Sequence, residues 1–218
     1  MFYIITYPEP DLLRFKNKHL NIEILPTSNT YSSNSKNKTK AVLDFCNSKS
    51  PDDIILYLSL ENFILLDSKE LIQQKFKSLK TDLLFSKRHN DNSFREKYIQ
   101  DKLFNSCDGS RLNINFYIGT ARKISMIWQN YLKTPYFVSE LEYIARLCHF
   151  KNEIDIKIDD KEQIFYNYNP KDKILFKNKK LYVNQNLKNI SFVTFSDVKD
   201  CQVLKKKYNL QGIFCNVQ

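Results

Sequence analysis

Glycine is nearly absent from the chain, with three residues in 218, at positions 109, 119 and 212. Neither GxxxxGKS/T nor GxGxxG can be written with them, so glycine-cradled phosphate sites are excluded. Six prolines are too few, beside so little glycine, for collagen-like or elastic repeats. The five cysteines (Cys46, Cys107, Cys148, Cys201 and Cys215) form no CxxC pair. Zinc-cluster spacing is therefore missing, and their odd number points to reduced thiols. No run reaches the roughly 18 uninterrupted apolar residues of a spanning helix. The opening MFYIITYP lacks a positively charged start, a long apolar run and a small-residue cleavage site, so no signal peptide is read and a cytoplasmic location is expected. In that setting the glycosylation-like triplets at Asn37 and Asn189 carry no meaning.

Aromatic residues are abundant, at 14% of the chain within a hydrophobic share of 42%, and that rules out intrinsic disorder. The length suits one domain of ordinary size. Lys and Arg number 34 against 24 Asp and Glu, a formal charge of +10 that favours contact with polyanions. Richness in Lys, Asn and Ile is also what an AT-rich coding sequence yields, as in a large DNA virus, so the charge alone names no partner.

Periodicity lays out the elements. Residues 2–6 and 22–25 are short β-branched runs closed by Pro8 and Pro26, and 54–58 is a continuous apolar run suited to a central strand buried on both faces. The polar stretch 27–40 reads as loop, leading into a helix through 44–48. Ser68 is placed to cap a helix over 69–79, and Ser139 one over 140–150. Between them, 83–85 and 112–119 read as strands, and 121–132 as a helix carrying Ile124, Ile127, Trp128 and Tyr131. Alternation at 154–158 marks another strand, with shorter ones at 173–176, 180–183 and 189–195. A basic helix over 198–208 follows. Strands alternating with helices give an α/β domain with a mixed sheet.

Few residues carry chemistry on their own. His89 and Asp91 with His149 have the two-histidine, one-carboxylate make-up of non-haem iron sites, but they fall in a polar loop and near a helix end. Cys148 and His149 are neighbours, and adjacent helical residues point about 100° apart, which suits a buried thiol and an edge imidazole better than a dyad. The lysines and aromatics of 171–188 and 199–207 could track a nucleic-acid backbone.

The order of segments resembles the glycosyltransferase domain of the procollagen lysyl hydroxylases and related collagen glucosyl- and galactosyltransferases. The resemblance covers residues 2–195. Residues 54–66, then Glu70-Leu71, Phe76 and Leu83-Leu84-Phe85-Ser86, are similar to that family's metal-motif strand, next helix and VVFSA-like strand. Leu112-Asn113 with Tyr117-Ile118-Gly119-Thr120-Ala121 resembles its LNSGGFIGYA segment. Leu141 and Tyr143 resemble its DDQLFY helix, and 156–159 with Ile164-Phe165-Tyr166-Asn167 its LDH and IFQN run. The resemblance implies a GT-A-like nucleotide-diphospho-sugar transferase fold, a mixed, mostly parallel sheet flanked by helices. It makes residues 1–218 a single glycosyltransferase-like domain in which 196–218 form a basic C-terminal helix and tail.

The chain departs from that family where the family's chemistry sits. The DxxD falls on Ser59-Leu60-Glu61-Asn62, the HGNG on Thr194-Phe195-Ser196-Asp197, the aspartate run on Tyr136-Phe137-Val138-Ser139 with Glu140 in place of the glutamine, and the paired glycines on Asn115-Phe116. Without the aspartate pair and the histidine there is no set of hard ligands for a divalent cation. No metal site is therefore expected, and Mn2+ with a UDP-sugar would be needed only if activity survives. Glu61 and Glu140 are the catalytic candidates, with Asp67 and Asp197 as further carboxylates for a rearranged site. Thr6, Tyr7, Lys36 and Lys38 are the nucleotide-binding candidates. The function implied is a glycosyltransferase-like protein acting by binding or assembly, its ligand a protein partner or a glycan. Two alternatives stay open: a metal-independent transferase in which Lys36, Lys38 and Arg122 neutralise the diphosphate, and a basic nucleic-acid-binding protein.

Overall fold

The computed structural model describes residues 1–7, 22–26, 35–59, 63–87, 112–135, 138–149, 154–169, 171–177, 180–195, 198–208 and 213–214. Its largest unit is a six-stranded sheet in the order β2-β1-β3-β6-β5-β7. The strands are β1 (Phe2–Thr6), β2 (Ile22–Ile24), β3 (Ile54–Leu58), β5 (Leu83–Lys87), β6 (Leu112–Thr120) and β7 (Ile156–Ile158). The β1–β2, β1–β3 and β5–β7 pairings are parallel, whereas β6 runs antiparallel to both β3 and β5. The sheet is thus mixed, and helices flank it. All five residues of β3 are buried, as a continuous apolar run in a sheet covered on both sides requires.

One face carries three helices, α1 (Ser35–Asn47), α3 (Ala121–Leu132) and α4 (Glu140–His149). Thr120 caps α3, accepting from the Lys123 N–H at 3.4 Å, and the spacing of Ile124, Ile127, Trp128 and Tyr131 puts all four into the core. Burying each side chain stabilises by about 1.5–3 kcal/mol before entropy is counted. The 27–40 stretch departs from the expected loop, since α1 begins at Ser35. Its first turns are rich in Lys and Asn, but Thr39, Val42 and Cys46 recur on one side and are buried, so packing outweighs local preference.

The other face of the sheet is covered by α2 (Lys69–Ser78), capped by Ser68, and by a second sheet in the order β13-β4-β12-β8. This sheet comprises β4 (Phe63–Leu65), β8 (Phe165–Asn167), β12 (Phe192–Thr194) and β13 (Ile213–Phe214). Phe63, Phe165 and Phe192 pack with Ile4, Leu56, Leu58 and Ile118 of the main sheet. Ile64, Tyr166 and Val193 face the opposite way, onto a three-stranded sheet of β9 (Ile174–Lys177), β10 (Lys180–Val183) and β11 (Asn186–Lys188) and onto α5 (Val198–Tyr208). Three sheets therefore stand where the pattern suggested one, because β4, β8 and β11 have three residues each and carry no readable period.

Cys148 and Cys201 each take part in a disulfide, which corrects the expectation of reduced thiols. Pairing depends on Cα separations that only the fold creates. Cys46 is free, and burial pushes its thiol up to about 12. No helix among the described residues is long and apolar enough to cross a membrane.

At Gly119, in β6, a Cβ would lie 2.7 Å from Leu83 Cδ1, 3.0 Å from the Asp82 carbonyl oxygen and 3.3 Å from Ile124 Cγ1. The first and last are core side chains and the second is backbone, so none yields freely. Gly119→Ala is expected to lose about 1–3 kcal/mol in urea unfolding.

Candidate functional site

The chain leaves β1 toward β2 on one side, and β3 lies on the other. In an open α/β sheet, such a reversal of strand order makes a crevice at the carboxyl ends of the strands. Thr6 and Tyr7 stand at that end of β1, and Ser59 follows β3, its N–H donating to the Asn115 carbonyl at 2.8 Å. Thr6 is fully buried, and its Oγ1 has no hydrogen-bond partner among the described residues. Tyr7 is half-buried against the helix-covered core.

Helix α1 follows a parallel strand, so its first turns lie at the same edge, and α4 begins there too. Lys36 Nζ donates to the Thr134 carbonyl at 2.7 Å and stands over the Tyr131 ring. Lys38 Nζ pairs with Glu140 Oε2 at 2.7 Å and lies 5.9 Å from the centre of the Tyr57 ring. Thr39 Oγ1 donates to the other carboxylate oxygen. Glu140 is buried, whereas Lys38 keeps a quarter of its side chain in solvent. Beneath them Tyr57 stacks on Tyr117, whose hydroxyl accepts from Trp128 Nε1 at 3.1 Å, and burial holds that phenol well above its usual range. The structure thus brings Lys38 and Glu140, two residues chosen separately from sequence, into one ion pair.

Thr194, at a position the sequence reading matched to a metal motif, is also tied to its neighbours. Thr194 donates to Asn167 Oδ1, and Asn167 Nδ2 donates to the Ser86 hydroxyl at 3.2 Å. Ser86 and Thr194 are buried, so this chain of bonds satisfies polar groups that would otherwise be costly. Asp67, the further carboxylate, pairs with Lys75 at 2.6 Å and accepts from the Ser191 hydroxyl at 2.7 Å, which holds the β4–α2 turn against β12. Phe116 is buried against the second sheet, where the family has a glycine.

The described donors at this edge do not by themselves make up the ligand set of a divalent cation. Such an ion needs several oxygen ligands with negative charge. Among the described residues, Ser59 and Thr194 offer neutral hydroxyls, the Glu140 carboxylate already holds a lysine and a threonine, and the Asp159 carboxylate accepts three backbone N–H groups. Among the described residues, no three His, Cys, Asp or Glu side chains gather as a metal would require.

Arg122 lies elsewhere. Because β6 is antiparallel, α3 starts at the opposite edge of the sheet, and the N–H of Arg122 donates to the Pro51 carbonyl just before β3. Arg122 therefore sits about a strand length from the crevice and cannot share a diphosphate with Lys36 and Lys38. Glu61, Asp197, His19, His89 and Asp91 lie outside the described residues, as does the side chain of His149. Cys148, being disulfide-bonded, offers no thiol nucleophile.

Asp159 ends the 156–159 segment of the resemblance but is not among the candidate site residues. It follows β7, is almost fully buried, and accepts the backbone N–H groups of Gln163, Ile164 and Phe165 at 2.7–2.8 Å. Burial raises its carboxyl above the ordinary range despite those three donors. A lone Asp in a polar turn carries no signal that could have singled it out.

No family model matches the sequence, and no curated protein matches it. Among solved structures the chain is similar to 4-diphosphocytidyl-2C-methyl-D-erythritol synthase from Anaerococcus prevotii, at 14% identity and a TM-score of 0.37. The match covers 68% of this chain and 64% of that one.

Proposed function

We infer that this chain is a glycosyltransferase-like domain of GT-A type, related to the collagen glycosyltransferase domains, that acts by binding a protein or glycan partner rather than by transferring a sugar. The observation that carries this reading is the Lys38–Glu140 pair. A carboxylate that served as base or metal ligand would need its oxygens facing the reactants, and a lysine that neutralised a diphosphate would need its ammonium there. In this crevice each is held by the other. The bond from Thr194 to Asn167 supports the same reading, because it ties a side chain at a position matched to a metal motif to a neighbouring residue. The strand order adds support, because its reversal at β1 is of the kind at which open α/β sheets take ligands, and Lys38 and Glu140 beside it are bonded to each other.

The test is turnover by the full chain with UDP-glucose and UDP-galactose, with and without manganese, alongside calorimetry with UDP. The expected result is no hydrolysis or transfer above buffer under either condition. Turnover that falls on substituting Glu61 or Glu140 would overturn the reading.

A further inference from the structure

Strands exposed on one side ordinarily alternate apolar residues inward with polar residues outward. The three-stranded sheet breaks that rule. Its inner face sends Ile174, Phe176, Leu181 and Val183 into the core shared with α5. On the outer face, register pairs Leu175 with Tyr182 and Tyr182 with Leu187, so the three lie in one row across the sheet. Leu175 is 50% exposed and Leu187 52%. Lys177 and Lys180 are paired beside this row on the same face, and neither has a carboxylate within ion-pair distance among the described residues. Lys171 and Lys173, both exposed, precede β9. Asn184 and Gln185, both left-handed, close the β10–β11 hairpin tightly, which holds the row in register.

We propose that this outer face docks on an anionic phospholipid surface, with Leu175, Tyr182 and Leu187 entering the boundary between headgroups and acyl chains and Lys177 and Lys180 meeting lipid phosphates. Positive charge beside aliphatic side chains is the combination such a surface rewards, each lysine near it adding about fivefold in affinity. The row spans two strand spacings, about 10 Å, far less than the core of a stable protein interface. Single-stranded nucleic acid would want rings to stack on, and this row offers one tyrosine between two leucines.

The experiment is co-sedimentation of the full chain with vesicles of phosphatidylcholine alone and of phosphatidylcholine with phosphatidylserine. Binding is expected only to the second kind, weakening as salt rises. Leu175→Asp with Leu187→Asp, at exposed positions and checked for an unchanged thermal transition, is expected to weaken it about tenfold or more. As a second arm, Leu187→Trp keeps an apolar side chain and is expected to bind at least as well, with a blue shift in emission on adding vesicles; the native Trp128 is buried and contributes no such change. Equal or absent binding to the two vesicle types overturns the proposal, as does an aspartate double variant that binds like the parent. Displacement by a poly-uridine strand that depends on Tyr182 and the lysines but not on the leucines would reassign the face to nucleic acid.

Discussion

Lys38→Met is expected to cost about 3–5 kcal/mol, with Glu140→Gln costing less and the double change Lys38→Met with Glu140→Leu returning to within about 2 kcal/mol of the parent. The asymmetry follows from burial. Glu140 keeps almost no contact with solvent, so removing Lys38 leaves a buried carboxylate that has lost its counter-charge and keeps the Thr39 hydroxyl as a donor. Lys38 retains a quarter of its side chain in water, and without Glu140 its ammonium can turn outward. A buried ion pair seldom stabilises more than a well-packed apolar pair, which is why the double variant recovers. Urea unfolding followed by Trp128, the single tryptophan, which is held by Tyr117, measures all three. Additive losses with no recovery would mean that the two side chains act separately.

Asp159→Ala is expected to lose about 3 kcal/mol or more, because three backbone N–H groups lose their acceptor and those of Ile164 and Phe165 are bonded in the interior. The bond geometry also shapes the pH response. Burial is the largest influence on this carboxyl and raises its folded-state pKa above the unfolded value, with the three N–H donors pulling the other way. A raised pKa means that the folded state binds the proton more tightly. The stability from this group is therefore fully present below the unfolded value and is lost as pH rises through the folded one. Asp159→Asn keeps one acceptor and does not titrate, so its penalty relative to the parent is expected to grow as the solution is acidified from neutrality. A penalty that shrinks on acidification would show that the hydrogen bonds, rather than burial, govern the group.

How far the fold could be read in advance depended on segment length. The five apolar residues of β3 and the four core positions of α3 form patterns long enough to carry a period, and both elements lie where the pattern puts them. Helix α1 starts earlier than its Lys- and Asn-rich beginning suggests, because its stability comes from what Thr39 and Val42 pack against. The strands β4, β8 and β11 are too short for alternation to show.

The candidate site was legible as a set of residues and not as a relationship. Lys38 and Glu140 were each identifiable from their place in an ordered run of segments, but nothing in a linear chain says that residues 38 and 140 form an ion pair. Arg122 shows the converse. Its distance in sequence from the lysines says nothing of edges, and the reversed direction of β6 carries it to the far side of the sheet.

Composition and periodicity alone establish a folded α/β chain with a basic surplus, no glycine-built phosphate cradle and its main strands and helices in order, because burial of apolar side chains repeats at intervals that a sequence displays. Which carboxylate meets which lysine, whether a cysteine is bonded or free, which end of a strand a helix departs from and which leucines stay in water are settled by strand direction and layer packing. Those contacts join residues far apart in the chain, and their energies exist only once the layers have closed.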